Sequence, residues 1–150
     1  MIRFDSPVGT VTVQADELLR SVRIGATAGE SLGESTALER EAARQLGEYF
    51  DGSRQGFELP LAAGGSPVQA SVWSFLDGIR FGEAVSYGHI ARELGLEPGA
   101  ARAVGAAVGA NPILIVRPCH RVLGADGSLT GYAGGLDAKL WLLQHEGVLL

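Results

Sequence analysis

Cys119 is the only thiol in 150 residues, and it stands in the pentapeptide Pro118-Cys119-His120-Arg121-Val122. Cysteine attacks as the thiolate, and a free thiol with a pKa of about 8.5 is only slightly ionised at neutral pH, so a nucleophilic cysteine needs a base or a positive field beside it. His120 and Arg121 are candidates for both. Adjacency does not decide the matter, because neighbours in an extended segment point to opposite faces. Lone cysteines are also commonly small buried hydrophobes. On the pentapeptide alone, a reactive site and an inert core cysteine both remain open.

The elements that must position this stretch belong to a chain with 46% hydrophobic residues, enough for one ordinary domain or two small ones to fold without metal or disulfide support. One cysteine excludes an intramolecular disulfide and a Cys-rich zinc site; no metal and no cofactor are expected. A thiol kept free fits a reducing compartment, and the expected location is cytoplasmic. Met1–Asp5 has no apolar run of signal-peptide length, and no later segment approaches the roughly 18 apolar residues of a membrane span. The net charge of −5 argues against wrapping nucleic acid by bulk electrostatics. Residues 1–65 carry six Arg against ten acids, while 66–150 carry five Arg and one Lys against seven. The second half can therefore still hold a local basic face.

Along the chain, alternation over residues 8–13 and 18–24 predicts two strands joined by a turn at Ala15-Asp16-Glu17. Residues 25–34 look like an exposed loop. Thr36 and Glu39 have the form of a capping box for a helix over 36–50, with Leu38, Ala42, Leu46 and Phe50 on one face. The charges at Glu39, Arg40, Glu41, Arg44 and Glu48 suit a solvated face. Four glycines and Pro60 in 51–66 suggest a connection, with a boundary near Gly65. A second helix follows, placing Val68, Val72, Phe75, Leu76 and Ile79 on one face with Trp73 beside it.

Ser86 can cap a helix carrying Ile90, Ala91 and Leu94, with Gly95 as its stop and Pro98 in the first turn of the next helix. This is the outline of a helix-turn-helix, although many helical hairpins bind nothing. The second helix, Ala100 to Gly109, is small and apolar apart from Arg102, which suits close approach in a minor groove and suits helix packing equally well. After Asn111-Pro112, Ile113–Val116 reads as a buried strand delivering Cys119 just past its end. A turn at 124–127, a loop at 131–135 and a last helix capped by Asp137 and stopped by Gly147 complete the chain.

The residues Val72-Trp73, Gly82-Glu83, Ser86-Tyr87, Ala101-Arg102-Ala103-Val104-Gly105, Asn111-Pro112, Pro118–Val122, Gly131-Tyr132 and His145-Glu146-Gly147 stand in that order. Nine positions separate Arg102 from Asn111, eight Asn111 from Cys119, and twenty-seven Cys119 from Glu146. In letters and intervals, residues 68–147 resemble the O6-alkylguanine-DNA alkyltransferases, the methylated-DNA–protein-cysteine methyltransferases. Ser6–Gly9, Tyr49–Gly52 and Phe57–Pro60 resemble shorter signatures of the same family's N-terminal lobe.

The resemblance implies an α+β fold: an N-terminal α/β lobe over 1–65, ribonuclease H-like with a three-stranded sheet, and a C-terminal helical lobe over 66–150 with a winged-helix-like helix-turn-helix. It implies that Cys119 takes an alkyl group irreversibly from O6-alkylguanine, with O4-alkylthymine as a further candidate, in double-stranded DNA, the protein being a monomer in the absence of DNA. Glu146 would hydrogen-bond His120, which through a water would take the thiol proton. Tyr87 would give a proton or a hydrogen bond to the departing guanine. The base would be rotated out of the duplex, with Arg102 filling its place. Ala103 and Gly105 would share the DNA-facing helix, Asn111 would tie that helix to the active-site loop, and Arg121, Val122, Tyr132 and Ala133 would serve the DNA or the base pocket. By residue type alone, Tyr87 could equally be a capping aromatic, His145 a helix terminator, His89 a surface residue, and Trp73 and Trp141 core.

Three departures from the family pattern stand out. Val68-Gln69 replaces a common Phe-Gln, a change in the core alone. Ala133 stands where some members carry serine, so backbone must serve the guanine O6 and substrate preference is open. The turn at Leu96–Gly99 is one residue longer, and with little positive charge the expectation is modest, salt-sensitive DNA affinity. The rival readings are a non-catalytic alkylated-DNA recognition protein, which Cys119 opposes, a helix-turn-helix regulator, and a cysteine hydrolase, which would need an oxyanion hole and would turn over.

Overall fold

Alternation in the first 24 residues produces three strands, one more than the local pattern suggests: β1 (Ile2–Ser6), β2 (Gly9–Ala15) and β3 (Leu19–Ile24), in an antiparallel meander of order β1-β2-β3. The computed structural model describes residues 1–25 and 31–150, so part of the loop expected over 25–34 lies outside the described residues. Phe4 pairs with Val11 and Val13 with Val22. Val11, Val13, Leu19 and Val22 are fully buried, as are Ala42, Leu46 and Tyr49 of α1 (Ala37–Phe50).

The capping box of α1 forms as expected, with the Glu39 backbone N–H donating to Thr36 Oγ1 at 3.1 Å and the Thr36 N–H donating to Glu39 Oε1 at 2.8 Å. Glu39 itself departs from the solvated-face reading. It is 2% exposed and also accepts the Ala15 N–H at 2.9 Å, tying the helix start to β2. Periodicity cannot distinguish such a carboxylate from its exposed neighbours Glu41 and Arg44, which pair with each other.

The chain divides into two compact units. One comprises Met1–Ala62 with Pro112–Val116, and the other Ala63–Asn111 with Arg117–Leu150. Within the first, Ile113 makes a single parallel bridge to Val22, and the Val22 N–H donates to the Pro112 carbonyl at 3.0 Å. The strand expected over 113–116 stops there, because the backbone turns at Ile115, whose φ is +69°. Among the described residues it is the sole non-glycine with positive φ, and for a β-branched side chain that conformation is strained.

The second unit is mainly helical: α2 (Pro67–Asp77), α3 (Tyr87–Glu93), α4 (Ala101–Gly109) and α5 (Leu136–His145), with β4 (Val85–Ser86) and β5 (Val122–Leu123). Ser66 and Gln69 form a second capping box for α2. Val72 and Leu76 are fully buried, whereas Val68, expected on the core face, is 42% exposed at the helix's first turn. Trp73 is core, its Nε1 donating to the Ala107 carbonyl at 2.8 Å.

Ser86 caps α3 as expected, its Oγ accepting the His89 N–H at 3.0 Å. Pro98 does not enter α4. Glu97-Pro98-Gly99-Ala100 instead closes a turn through the Ala100 N–H and the Glu97 carbonyl at 3.0 Å. Proline at its second position and Gly99 at φ +91° in the third are the signature of a type II turn, which no helix can contain. Asp137 does not cap α5. Gly135 holds that position and Asp137 lies in the first turn, where its charge still favours the helix dipole. Among the described residues no helix is long and apolar enough to cross a membrane.

Candidate active site

The site is assembled from short pieces of the second unit. β4 pairs in parallel with β5, Val85 opposite Val122 and Ser86 opposite Leu123. β5 directly follows the 3-10 turn Cys119–Arg121, and β4 directly precedes Tyr87 at the start of α3. A ladder of two residues per strand therefore fixes the nucleophile's turn beside the helix bearing Tyr87. Its shortness hid it from periodicity.

Cys119 is 4% exposed. Burial pushes its thiol up, against a hydrogen bond from the Asn111 side chain and the positive charges of Lys139 and Arg117. Asn111 Nδ2 also donates to the Arg117 carbonyl at 3.0 Å, clasping the loop two residues before the sulfur. Arg117 is itself buried, with Nε 3.1 Å from Asp77 Oδ1 and its guanidinium 5.3 Å from the Trp73 ring centroid. The sulfur thus rests as a thiol, held among three groups that favour its anion.

His120 and Glu146 are brought together from positions twenty-six apart, His120 Nε2 lying 2.7 Å from Glu146 Oε2. Burial would raise the Glu146 carboxyl, but hydrogen bonds from His120 and Arg121 prevail and hold it at about 2. An ionised carboxylate only accepts, so Nε2 of a neutral His120 carries the proton toward Glu146. Burial lowers the pKa of His120 against the pull of Glu146, keeping the ring neutral. Its Nδ1 then presents a lone pair that has no hydrogen-bond partner among the described residues. This is the protonation state a general base requires.

Arg121, expected to serve DNA or the base pocket, is 5% exposed. Its Nε and Nη2 donate to Glu146 Oε1 and Oε2 at 2.7 and 2.9 Å, and Nη1 to the Ile79 carbonyl at 2.5 Å. The fork neutralises a carboxylate that stands at the C-terminal end of α5, where the helix dipole disfavours negative charge. Gly147, at φ +79°, ends that helix, its N–H donating to the Gln144 carbonyl and the Val148 N–H to that of Leu143. This left-handed cap needs glycine and fixes where Glu146 projects. His145 stacks on Trp141 at 4.7 Å between ring centroids.

Of the other expected residues, Tyr132 meets the His120 ring edge-on at 6.4 Å, and Val122 is fully buried. Gly105 of α4 faces the Tyr87 ring closely enough that an added Cβ would lie 3.8 Å from it. Arg102 and Ala103 lie on the exposed face of the same helix, and Ala133 on an exposed loop. His89 is half-buried against Phe75.

Sequence reasoning missed Lys139 and Thr130. Lys139 is fully buried, its Nζ donating to the Val122 carbonyl at 2.7 Å, the Thr130 carbonyl at 3.3 Å and Thr130 Oγ1 at 3.2 Å. Thr130 Oγ1 lies 2.5 Å from Tyr87 Oη. The available signal was compositional: Lys139 is the one lysine in a chain with eleven arginines, and it sits between Ala138 and Leu142 on the buried side of α5.

The family model described as "6-O-methylguanine DNA methyltransferase, DNA binding domain" matches residues 67–148. A methylated-DNA–protein-cysteine methyltransferase of Shigella flexneri is 56% identical over 107 residues, which are 71% of this chain and 62% of that protein. The match therefore spans less than two thirds of that relative's length. A protein of the same name from Methanosarcina acetivorans is 45% identical over 150 residues, 96% of each chain. Among solved structures, Mycobacterium tuberculosis OGT in complex with DNA has 40% identity and a TM-score of 0.82, over 96% of this chain and 90% of that one. The mixed α/β architecture is common to both. With a family model on more than half of its length and a 45% identical relative along nearly all of it, the chain belongs to the methylated-DNA–protein-cysteine methyltransferases.

Proposed function

We propose that this protein repairs DNA by moving an alkyl group from O6-alkylguanine, in a duplex, onto Cys119. The observation that carries the reading is the buried array in which Cys119 adjoins a neutral His120 oriented by an ionised Glu146. The Cys119 proton passes through a water to His120 Nδ1, and the thiolate attacks the alkyl carbon. A carbon–sulfur bond forms as the bond to O6 breaks, and the guanine leaves with a proton or hydrogen bond from Tyr87. The thioether is permanent, so each molecule reacts once. Arg121 acts in this scheme by holding Glu146, not by touching DNA.

The exposed face of α4 suits entry into the minor groove, with Arg102 occupying the place of a nucleotide rotated out of the stack. Ala103 and Gly105 allow close approach, and Val122, Tyr132 and Ala133 border the pocket for the flipped base. The α3–turn–α4 hairpin reads as a winged-helix-like helix-turn-helix, and the sheet with α1 as a ribonuclease H-like lobe. The boundary near residue 65, cytoplasmic location and a monomeric state in the absence of DNA belong to the same reading. O4-alkylthymine is a second candidate substrate.

Arg102→Ala tests the base-flipping part. Repair of O6-methylguanine in duplex should slow about tenfold or more, since unstacking costs a few kcal/mol that the arginine no longer offsets. Reaction with free O6-benzylguanine should be unchanged, because nothing needs flipping. Equal slowing on both substrates would assign Arg102 to the fold or the chemistry instead.

A further inference from the structure

Tyr87, Thr130 and Lys139 form a hydrogen-bonded chain through Thr130 Oγ1. The Lys139 ammonium has three N–H groups and three acceptors within reach: the Val122 carbonyl, the Thr130 carbonyl and Thr130 Oγ1. An ammonium only donates, so Thr130 Oγ1 must accept from it. The hydroxyl's own hydrogen then needs an acceptor. Among the described residues the partner at hand is Tyr87 Oη, 2.5 Å away. Donation from Thr130 to Tyr87 is the arrangement that satisfies this hydrogen within the protein, and in it the phenol, already accepting, keeps its own hydrogen uncommitted.

We propose that Thr130, backed by Lys139, is a positioning residue that aims the Tyr87 phenolic hydrogen at the departing guanine. This deepens the alkyl-transfer reading and rests on it. The chain of donors acts in two ways. It fixes the rotation of a hydroxyl that would otherwise turn freely, and each bond polarises the next, making Tyr87 a better donor than an isolated phenol. Lys139 is suited to the far end because its other contacts, including one to the carbonyl of Val122 beside the nucleophile's turn, hold it in place. Had Tyr87 donated to Thr130 instead, its hydrogen would be spent within the protein, and the threonine hydrogen would have no acceptor among the described residues.

The test uses Thr130→Val, which keeps shape and removes the hydroxyl, in single-turnover transfer from an O6-methylguanine duplex. The rate should fall about tenfold, part of the 10²- to 10⁴-fold that a positioned proton donor contributes. Thr130→Ser should restore it. In a Tyr87→Phe background, Thr130→Val should add no further loss, because the threonine acts only through the phenol. Methylation of Cys119 by iodomethane should proceed at the wild-type rate in the Thr130 variants, since iodide leaves without a proton. Unchanged transfer by Thr130→Val would overturn the proposal, as would a tenfold loss that persists in the Tyr87→Phe background or one that extends to iodomethane. Failure of the alkyl-transfer reading itself would be separately visible, as wild-type protein that iodomethane modifies but the duplex does not.

Discussion

Cys119→Ala should abolish alkyl transfer and leave affinity for a lesion-bearing duplex within about twofold of wild type. The chemistry has no substitute nucleophile, since Cys119 is the only thiol in the chain. The DNA-facing residues proposed here, Arg102 and Ala103, lie on the exposed side of α4, whereas the sulfur is 4% exposed. Removing it deletes one buried atom from a site whose other hydrogen bonds remain, a change costing on the order of 1 kcal/mol of stability. Single-turnover assays with labelled duplex and gel-shift titrations would separate the two effects. Residual transfer by the alanine variant would move the nucleophile elsewhere, and lost binding with lost transfer would point to a disrupted fold.

Glu146→Gln should be the most damaging substitution that leaves the thiol intact. Glu146 is buried and accepts from both His120 and the Arg121 fork. A neutral amide leaves the Arg121 guanidinium buried without its counter-charge, which typically costs about 3–5 kcal/mol. It also frees His120 to adopt the other tautomer, with Nδ1 protonated and useless as a base, so transfer should slow about 100-fold or more. Urea unfolding and single-turnover rates on the same preparation report the two losses.

The pH dependence of stability carries the same signature. Glu146 sits at about 2 in the folded protein against an ordinary 4.5, so its contribution is complete above 4.5 and is lost as pH falls toward 2. His120, also lowered from its ordinary 6.5, adds a loss that begins as pH drops below that value, where the unfolded chain takes up a proton the buried ring refuses. Wild-type protein should therefore weaken below pH 6.5 and more steeply below 4.5. The glutamine variant should lose less stability than wild type between pH 4.5 and 2, the remainder of that stage belonging to other lowered carboxylates such as Glu39 and Glu41, and an acid profile identical to wild type would mean that Glu146 is not among the depressed groups.

How much of this was legible in the sequence depends on the range of the interaction involved. Caps are local, and Thr36 with Glu39 and Ser86 formed as their spacing implied. The pairing of His120 with Glu146 was reachable through the family resemblance, because the motif carries the long-range contact that periodicity cannot. Where a second local rule competed, the first reading failed. Pro98 suits a helix start, but followed by Gly99 it suits a type II turn better, and Asp137 lost the cap to a glycine with positive φ. Charge alone misled at Glu39, and the motif's assignment of Arg121 to DNA or base meets the same difficulty, since both side chains are buried against specific partners that no one-dimensional pattern announces. Lys139 and the two-residue β4–β5 ladder escaped notice for the same reason. Each is defined by what lies across the unit, not along the chain.

The most direct measurement is intact mass after incubation with a duplex containing O6-methylguanine, followed by peptide mapping. Alkyl transfer predicts a gain of about 14 Da, one methyl group in place of one hydrogen, located on Cys119 and saturating at one equivalent of lesion per protein. An unmodified protein that still retains the lesion duplex would contradict the account and leave damage recognition without repair. Release of methyl with repeated turnover would contradict it too, because a thioether on Cys119 has no route back to thiol in this site.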